Sequence, residues 1–256
     1  MNNDFLEIAK IAARKAGEIH LKYFSQDVDY SLKGDATPVT LADKESEKII
    51  IETIKEKFPD HGFLGEESGK SSSDSEYLWI IDPLDSTKNF IRGLPLFSTE
   101  IALMKDDELL VGVSYAAAIN DMAFAAKGMG AFVNDKKVEV SKIDDLAESY
   151  LSYSNLKYYD QDGSLGKLIE LSHKVRSCRA IGDAWPYRRL AEGKIDIVVE
   201  ASIKIWDIAA ITLIIEEAGG KVTDMQGNKI NLDSTTILAT NGKLHQEILD
   251  SFNKDD

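Results

Sequence analysis

The chain holds a single cysteine, Cys178, in 256 residues. This excludes an internal disulfide framework and any cysteine-built metal cluster, and leaves Cys178 as a small core or interface residue. Basic residues are also scarce, with Lys and Arg numbering 30 against 44 Asp and Glu, for a formal charge of −14. Nucleic acids and anionic membranes both depend on basic footprints, so neither is expected as a partner. No run approaches the ~18 to 20 apolar residues of a membrane span, and Met1-Asn2-Asn3-Asp4 lacks the basic start and apolar core of a signal peptide. A cytoplasmic protein is the expectation. Internal repeats and flexible linkers are missing as well, and only the charged tail reads as disordered. With 43% hydrophobic content, the chain can bury a sizeable core as one domain over residues 1–256, divisible into intimate subdomains 1–140 and 141–256.

What the chain does supply is acid in an unusual setting. The apolar run Trp79-Ile80-Ile81 breaks into Asp82-Pro83-Leu84-Asp85 and then Ser86-Thr87-Lys88-Asn89-Phe90. Pro83 fixes its own backbone angle and offers no donor, so a tight turn there can aim Asp82 and Asp85 at one point. Two like charges that close need a cation. A hard divalent ion such as Mg²⁺ accepts carboxylates and backbone carbonyls, the Leu84 carbonyl among them, and the lack of nearby His or Cys disfavours zinc. Ser86 and Thr87 can cap a short helix whose free N–H groups face an anion. The same residues also suit an ordinary Asp-Pro turn followed by a helix cap.

Three further segments bring acids of their own. Phe63-Leu64-Gly65-Glu66-Glu67-Ser68 reads as a short strand ending on paired carboxylates. Ile203-Lys204-Ile205-Trp206-Asp207 runs into an apolar helix stopped by Gly219-Gly220, which makes Asp207 a candidate N-cap or a candidate ligand. Thr40 is placed to cap a helix with Ile50, Ile54 and Phe58 on one stripe, and Asp43 falls in its first turn, where an acid complements the dipole. Elsewhere, Phe5 to Phe24 reads as an amphipathic helix burying Ile8, Ile11, Ala12 and Ala16. Strands are predicted over Ser98 to Met104, Leu109 to Ala116, Met122 to Ala126, Ala131 to Val133 and Ile195 to Glu200, and helices over Leu165 to Lys174 and Trp185 to Glu192.

Taken together, GEES at 65–68, WIIDPLDSTKNF at 79–90, WDIAA at 206–210 and EEAGG at 216–220 resemble the inositol monophosphatase family of Mg²⁺-dependent, lithium-sensitive phosphatases. Segments 128–135 and 239–242 extend the likeness over nearly the whole chain. The resemblance implies an α+β fold, an alternating five-layer α-β-α-β-α sandwich, and a homodimer. It implies that Glu66, Asp82 and the Leu84 carbonyl hold one Mg²⁺, that Asp82, Asp85 and Asp207 hold a second, and that Glu66 also serves a third, weaker ion. Asp43 and Thr87 match the pair that orients and deprotonates the attacking water, the Ser86 and Thr87 amides match the phosphate cradle, and Lys33 matches a lysine in a mobile loop beside the site. Where the family usually has glycine, this chain has Ser86. A helix-start position with ordinary backbone angles would accept that change.

Substrate contacts implied by the resemblance are Glu200, seven residues before Asp207, and Asp183 in the segment Gly182-Asp183-Ala184-Trp185. A carboxylate at Glu200 can accept two hydroxyl hydrogen bonds from a polyol or hold an ammonium group. Inositol 1-phosphate is therefore the leading substrate expectation and histidinol phosphate the alternative. Lys88 is common among the histidinol-phosphate and the nucleotide-bisphosphate members alike, but the nucleotidases usually lack an acid at the place of Glu200, so adenosine 3′,5′-bisphosphate stands third. A catalytically silent binding relative is the reading of another class, and loss of ligand acids would be its mark.

Overall fold

The computed structural model describes residues 2–24, 29–34, 38–71 and 74–253. Helix α1 (Asn2–Phe24) leads to a ribbon of β1 (Tyr30–Leu32) and β2 (Pro38–Thr40), then to α2 (Leu41–Lys57). Strands β3 (Gly62–Gly65), β4 (Gly69–Lys70) and β5 (Tyr77–Asp85) precede the short helix α3 (Thr87–Ile91). The meander follows as β6 (Ser98–Lys105), β7 (Glu108–Ala116), β8 (Asp121–Ala126), β9 (Ala131–Val133) and β10 (Lys136–Val138). The later half runs β11 (Tyr150–Tyr153), α4 (Leu156–Asp162), α5 (Leu165–Lys174), β12 (Ser177–Arg179), α6 (Ala184–Ala191), β13 (Ile197–Ala201), α7 (Ile205–Glu217), β14 (Lys221–Thr223), β15 (Thr236–Thr240) and α8 (His245–Asn253).

Among these, β3 to β10 form one sheet in the order β10-β9-β8-β7-β6-β5-β3-β4, and β11 to β15 form a second in the order β12-β11-β13-β15-β14. Three apolar layers hold them. Residues of α1 and α2 pack with Trp79, Ile81, Ile101 and Val113 on one face of the large sheet. On its other face, α6 and α7 fill the space between the sheets with Leu190, Ile208, Ile211 and Ile215. Residues of α5 and α8 cover the far side of the small sheet with Leu168, Leu171, Ile248 and Phe252. The result is the expected α-β-α-β-α sequence of layers, in which each sheet and each helix buries its apolar face against a neighbour. Helix α7 is apolar all round, in keeping with its place between two sheets. No described helix is long and apolar enough to cross a membrane.

One detail of the sequence reading is corrected. Ile11 is 43% exposed, whereas the buried stripe of α1 is Phe5, Leu6, Ala9, Ala12, Ala13 and Ala16. Small alanines let α1 lie close to the sheet, and Gly17 lies so near that an added Cβ would stand 2.6 Å from the Tyr115 ring. The large sheet thus carries β3 and β5 side by side in parallel, with Gly65 opposite Ile81. That pairing is what brings the Glu66 loop beside the Asp82 turn.

Candidate active site

The acids predicted from four separate segments meet at one end of the large sheet. A pocket of about 410 Å³ is lined by Glu66, Asp82, Leu84, Asp85, Ser86, Thr87, Asp183 and Asp207, with Lys88, Asn89, Ser154, Asn155 and Tyr158 on its outer walls. Asp82 and Asp85 end β5, and the pairing of β5 with β6 shifts register between them. Pro83 occupies that break, where it has no ladder donor to lose. Its carbonyl is instead held from behind by His20 Nε2 at 2.9 Å and Thr99 Oγ1 at 3.2 Å. Because Nε2 faces a carbonyl it carries the proton, and burial pushes His20 down to about 4, so the ring is a neutral donor at neutral pH. No local pattern marks this brace, since His20 lies 63 residues from its partner.

Each carboxylate currently turns an oxygen to a protein donor. Asp82 Oδ1 accepts from the Leu84 N–H at 3.0 Å, Asp85 Oδ2 from the Ala184 N–H at 2.9 Å, and Asp207 Oδ2 from the Lys204 N–H at 2.7 Å. Asp207 is thus the third residue of α7 and not its cap, which corrects the N-cap reading. Lys33 donates to Glu66 Oε1 at 2.7 Å and Glu67 Oε1 at 2.5 Å. Burial alone would lower the Lys33 ammonium, but these two partners outweigh it and raise it above its usual range. The loop beyond Lys33 passes through residues 35–37, which lie outside the described residues.

Charge is poorly balanced in this cluster. Asp82 is pushed well above the usual carboxylate range by burial, then by Glu66, Asp85 and Asp207. Burial does the same to Asp85, helped by Asp183, Glu100 and Asp207. Asp207 rises to about 7, again through burial first. Among the described residues, no three His, Cys, Asp or Glu side chains already stand in an arrangement that would hold an ion. The donor set is nonetheless all oxygen and rich in uncompensated negative charge, which fits a hard divalent cation and no softer one.

These shifts set a pH dependence. A carboxyl whose native value lies above its unfolded one binds more protons when folded, so it stabilises the protein at low pH and loses that contribution as pH rises. The metal-free protein is therefore expected to lose stability between about pH 4 and pH 7, the interval between the ordinary value of Asp207 and its native one. Thermal unfolding across that range in EDTA checks it, and a stability that climbs steadily to pH 7 would contradict it.

Behind the pocket-lining Thr87, α2 supplies Asp43. Thr40 caps α2 as predicted, and Asp43 completes a capping box by accepting from the Thr40 N–H at 2.7 Å and Thr40 Oγ1 at 2.6 Å through Oδ2. Its other oxygen, Oδ1, accepts from Thr87 Oγ1 at 3.0 Å, and the same hydroxyl lies 3.0 Å from the Leu84 carbonyl. Burial raises Asp43 despite these hydrogen bonds. The cap and the chemistry are one residue here.

Ser86 departs from expectation. Its φ of 69° and ψ of 42° are left-handed, not the ordinary angles predicted, and its side chain makes no helix-capping bond. The hydroxyl instead donates to Asp183 Oδ2 and accepts from Asn89 Nδ2 at 2.6 Å. Left-handed backbone strains any residue with a Cβ. Ser86→Gly is therefore expected to be more stable than Ser86→Ala by about 1 kcal/mol, since both lack the hydroxyl and only glycine escapes the strain. Urea unfolding of the pair measures this, and equal midpoints would contradict it.

The pocket continues into a smaller cavity of about 120 Å³ bounded by Ser154, Asp183, Tyr187, Glu200, Ser202 and Asp207. Glu200, on β13, is 4% exposed and accepts the Asp183 N–H at 3.0 Å through Oε1. Burial, then Asp183 and Asp207, push Glu200 well above the usual range. Two buried hydroxyls, Tyr187 Oη and Ser154 Oγ, line this cavity, and Tyr187 Oη interacts with the Glu200 carboxylate. Tyr187 was not singled out from the sequence, although it sits one helical turn beyond Asp183, where a residue shares that residue's face.

A sequence model of the inositol monophosphatase family matches residues 1–255. The chain is 36% identical to the histidinol-phosphatase of Mycobacterium tuberculosis over 259 residues, covering 99% of each sequence. It is 34% identical to an inositol-1-monophosphatase of Mesorhizobium japonicum, covering 97% of this chain and 96% of that one. The crystal structure of the extragenic suppressor protein suhB from Bartonella henselae superposes with a TM-score of 0.93 at 32% identity, covering 99% of this chain and 100% of that one.

Proposed function

Because the chain belongs to the inositol monophosphatase family, we propose that it is a Mg²⁺-dependent phosphomonoesterase for a small phosphate ester, working in the cytoplasm as a homodimer. The observation that carries this reading is the meeting of buried, under-compensated Asp82, Asp85 and Asp207 with the Thr87–Asp43 hydrogen bond in one pocket. Glu66, Asp82 and the Leu84 carbonyl would hold one ion, Asp82, Asp85 and Asp207 a second, and Glu66 a third. Bound there, Mg²⁺ supplies an activated water and neutralises charge on the phosphate and the departing alkoxide.

The chain's own residues do the rest. Thr87 Oγ1 donates to Asp43 Oδ1, so its lone pairs face the pocket and can accept the proton of an attacking water. Asp43 is held by Thr40 on its far oxygen, so the proton it receives arrives on Oδ1 and its orientation does not change. Thr87 and Ser86 present first-turn amides that have no helical partner, a place for the phosphate oxygens. Lys33 can release Glu66 and stay beside Glu67.

The leaving alcohol lies toward Asp183 and Glu200. The resemblance alone puts inositol 1-phosphate first, but the charge of this cavity moves histidinol phosphate ahead. Burial, then Asp183 and Asp207, raise Glu200, and an ammonium or imidazolium group would relieve it, whereas a neutral polyol would not. Inositol 1-phosphate remains the second reading, because the Glu200 carboxylate can accept from two hydroxyls. Mg²⁺-dependent phosphate release from histidinol phosphate, inositol 1-phosphate and adenosine 3′,5′-bisphosphate, measured side by side, tests the choice. Histidinol phosphate is expected to show the highest kcat/KM. A higher value for inositol 1-phosphate would reverse the order, and no release from any of the three would favour the silent relative.

A further inference from the structure

A chain of buried polar groups runs behind the pocket to Asp85, and none of its other members has a role assigned above. Arg188, in the middle of α6, is 1% exposed. Its Nε donates to Asp121 Oδ2 at 3.1 Å, and its Nη1 donates to Ser114 Oγ at 2.8 Å and lies 3.9 Å from Glu100 Oε1. Ser114 Oγ passes the contact on to Glu100 Oε1 at 2.8 Å. Ser98 Oγ lies 2.8 Å from the same Glu100 oxygen and 3.5 Å from Asp85 Oδ2, so the chain ends on a pocket carboxylate. Register explains the order: Ser98 pairs with Asp85, Glu100 with Asp82 and Ser114 with Glu100 across neighbouring strands.

We propose that Arg188 is a positioning residue for the carboxylate site, fastening α6 to the large sheet so that the Ala184 N–H and the Ser98 hydroxyl hold Asp85 in place. This inference rests on the reading of Asp85 as a metal ligand. Helix α6 is joined to the sheet at its start and at its middle. Its first N–H donates to Asp85 at 2.9 Å, and one turn later Arg188 grips β7 and β8 through Ser114 and Asp121. Asp183, which precedes the helix, and Tyr187, which faces the small cavity, ride on the same element. Arg188 therefore sets the distance between the pocket's metal wall and its substrate wall.

Packing alone does not account for so much buried charge. A buried ion pair is often no more stabilising than apolar residues of equal volume, so fixed geometry is the more informative consequence of keeping one. Here the arginine is also an imperfect partner. Glu100 Oε2 has no hydrogen-bond partner, and burial pushes Glu100 up to about 7 although Arg188 and the two serine hydroxyls oppose it. The planar guanidinium reaches two strands at once with donors in a fixed fork, which a lysine ammonium does not offer and methionine lacks altogether.

The test separates position from stability. Arg188→Met leaves Glu100 without a counter-charge and is expected to unfold at lower temperature. The double variant Arg188→Met/Glu100→Gln removes both charges and is expected to regain most of that loss. Mg²⁺ affinity, read by calorimetric titration, is the deciding quantity, with kcat and KM measured separately. If Arg188 positions Asp85, the double variant folds yet binds Mg²⁺ about tenfold more weakly than the unmodified protein, the scale on which partners of ligands act. If it binds Mg²⁺ within twofold, Arg188 is merely structural and the inference fails. Should the double variant not fold, Ser98→Ala deletes one hydroxyl with both charges left in place, and the same criterion applies to its affinity. An unmodified protein that does not bind Mg²⁺ at all would overturn the metal reading itself, a result distinct from equal affinities.

Discussion

Asp82→Asn is expected to leave a folded protein whose Mg²⁺-dependent phosphate release falls by more than about 100-fold, beyond what loss of a mere partner of a ligand would cause. Asp82 is the residue proposed to bridge two ions, and it is 2% exposed at the end of β5. Asparagine keeps the shape and the oxygen that accepts the Leu84 N–H, so the turn at Pro83 survives. It cannot supply a charge to the site. A second effect runs the opposite way. Without metal, Asp82 is a buried acid repelled by Glu66, Asp85 and Asp207, and removing its charge relieves all three contacts. The variant should therefore melt higher than the unmodified protein in EDTA and gain nothing from Mg²⁺. Near-normal turnover, or an undiminished Mg²⁺ stabilisation, would contradict the bridging role.

Asp43→Asn is expected to lower kcat by about 10² to 10⁴, the usual contribution of a positioned general base. Its other properties should differ from those of Asp82→Asn. Asp43 touches Thr40 and Thr87 and is not a proposed ligand. The amide oxygen can still accept from the Thr40 N–H, so α2 keeps its cap. The amide nitrogen then faces Thr87, a donor where an acceptor is required. Mg²⁺ should still stabilise this variant by the full RT ln(1 + [L]/Kd), and KM should change little. Thr87→Val should show the same pattern, because it removes the hydroxyl that relays the proton. A variant of either residue that loses Mg²⁺ binding as well would mean that the residue is a ligand and not a base. Calorimetry beside steady-state kinetics makes the distinction.

The layered fold and the site's acids are largely legible in the sequence, for two physical reasons. The helix period is strong over α5 and α6, where one apolar face must be buried, and β6 to β8 read as apolar runs because both of their faces are covered. The acids stand at the ends of elements, and carboxylates collected there on short spacings have few structural uses. What stays hidden is whatever depends on the third dimension. Ile11 has the right period for α1 but lies on the wrong side of a stripe that the alanines define. Ser86 takes left-handed angles because the chain must turn sharply from β5 into α3, and a residue's own type does not announce that. The His20 brace on Pro83 and the Arg188 link to Asp121 join residues 63 and 67 positions apart. Neither has a local pattern to betray it. Asp207, read as a cap or a ligand, proves to lie in the first turn of α7, facing the pocket with its backbone donor one turn behind.

The account stands on one claim, that these buried acids exist to hold Mg²⁺. The most direct test is the melting temperature of the metal-free protein at neutral pH as Mg²⁺ is raised into the millimolar range, with Asp82→Asn alongside. The account predicts a rise that saturates with [Mg²⁺] in the unmodified protein and is missing in the variant. An unmodified protein whose melting temperature does not move, or moves no more than that of Asp82→Asn, would contradict it.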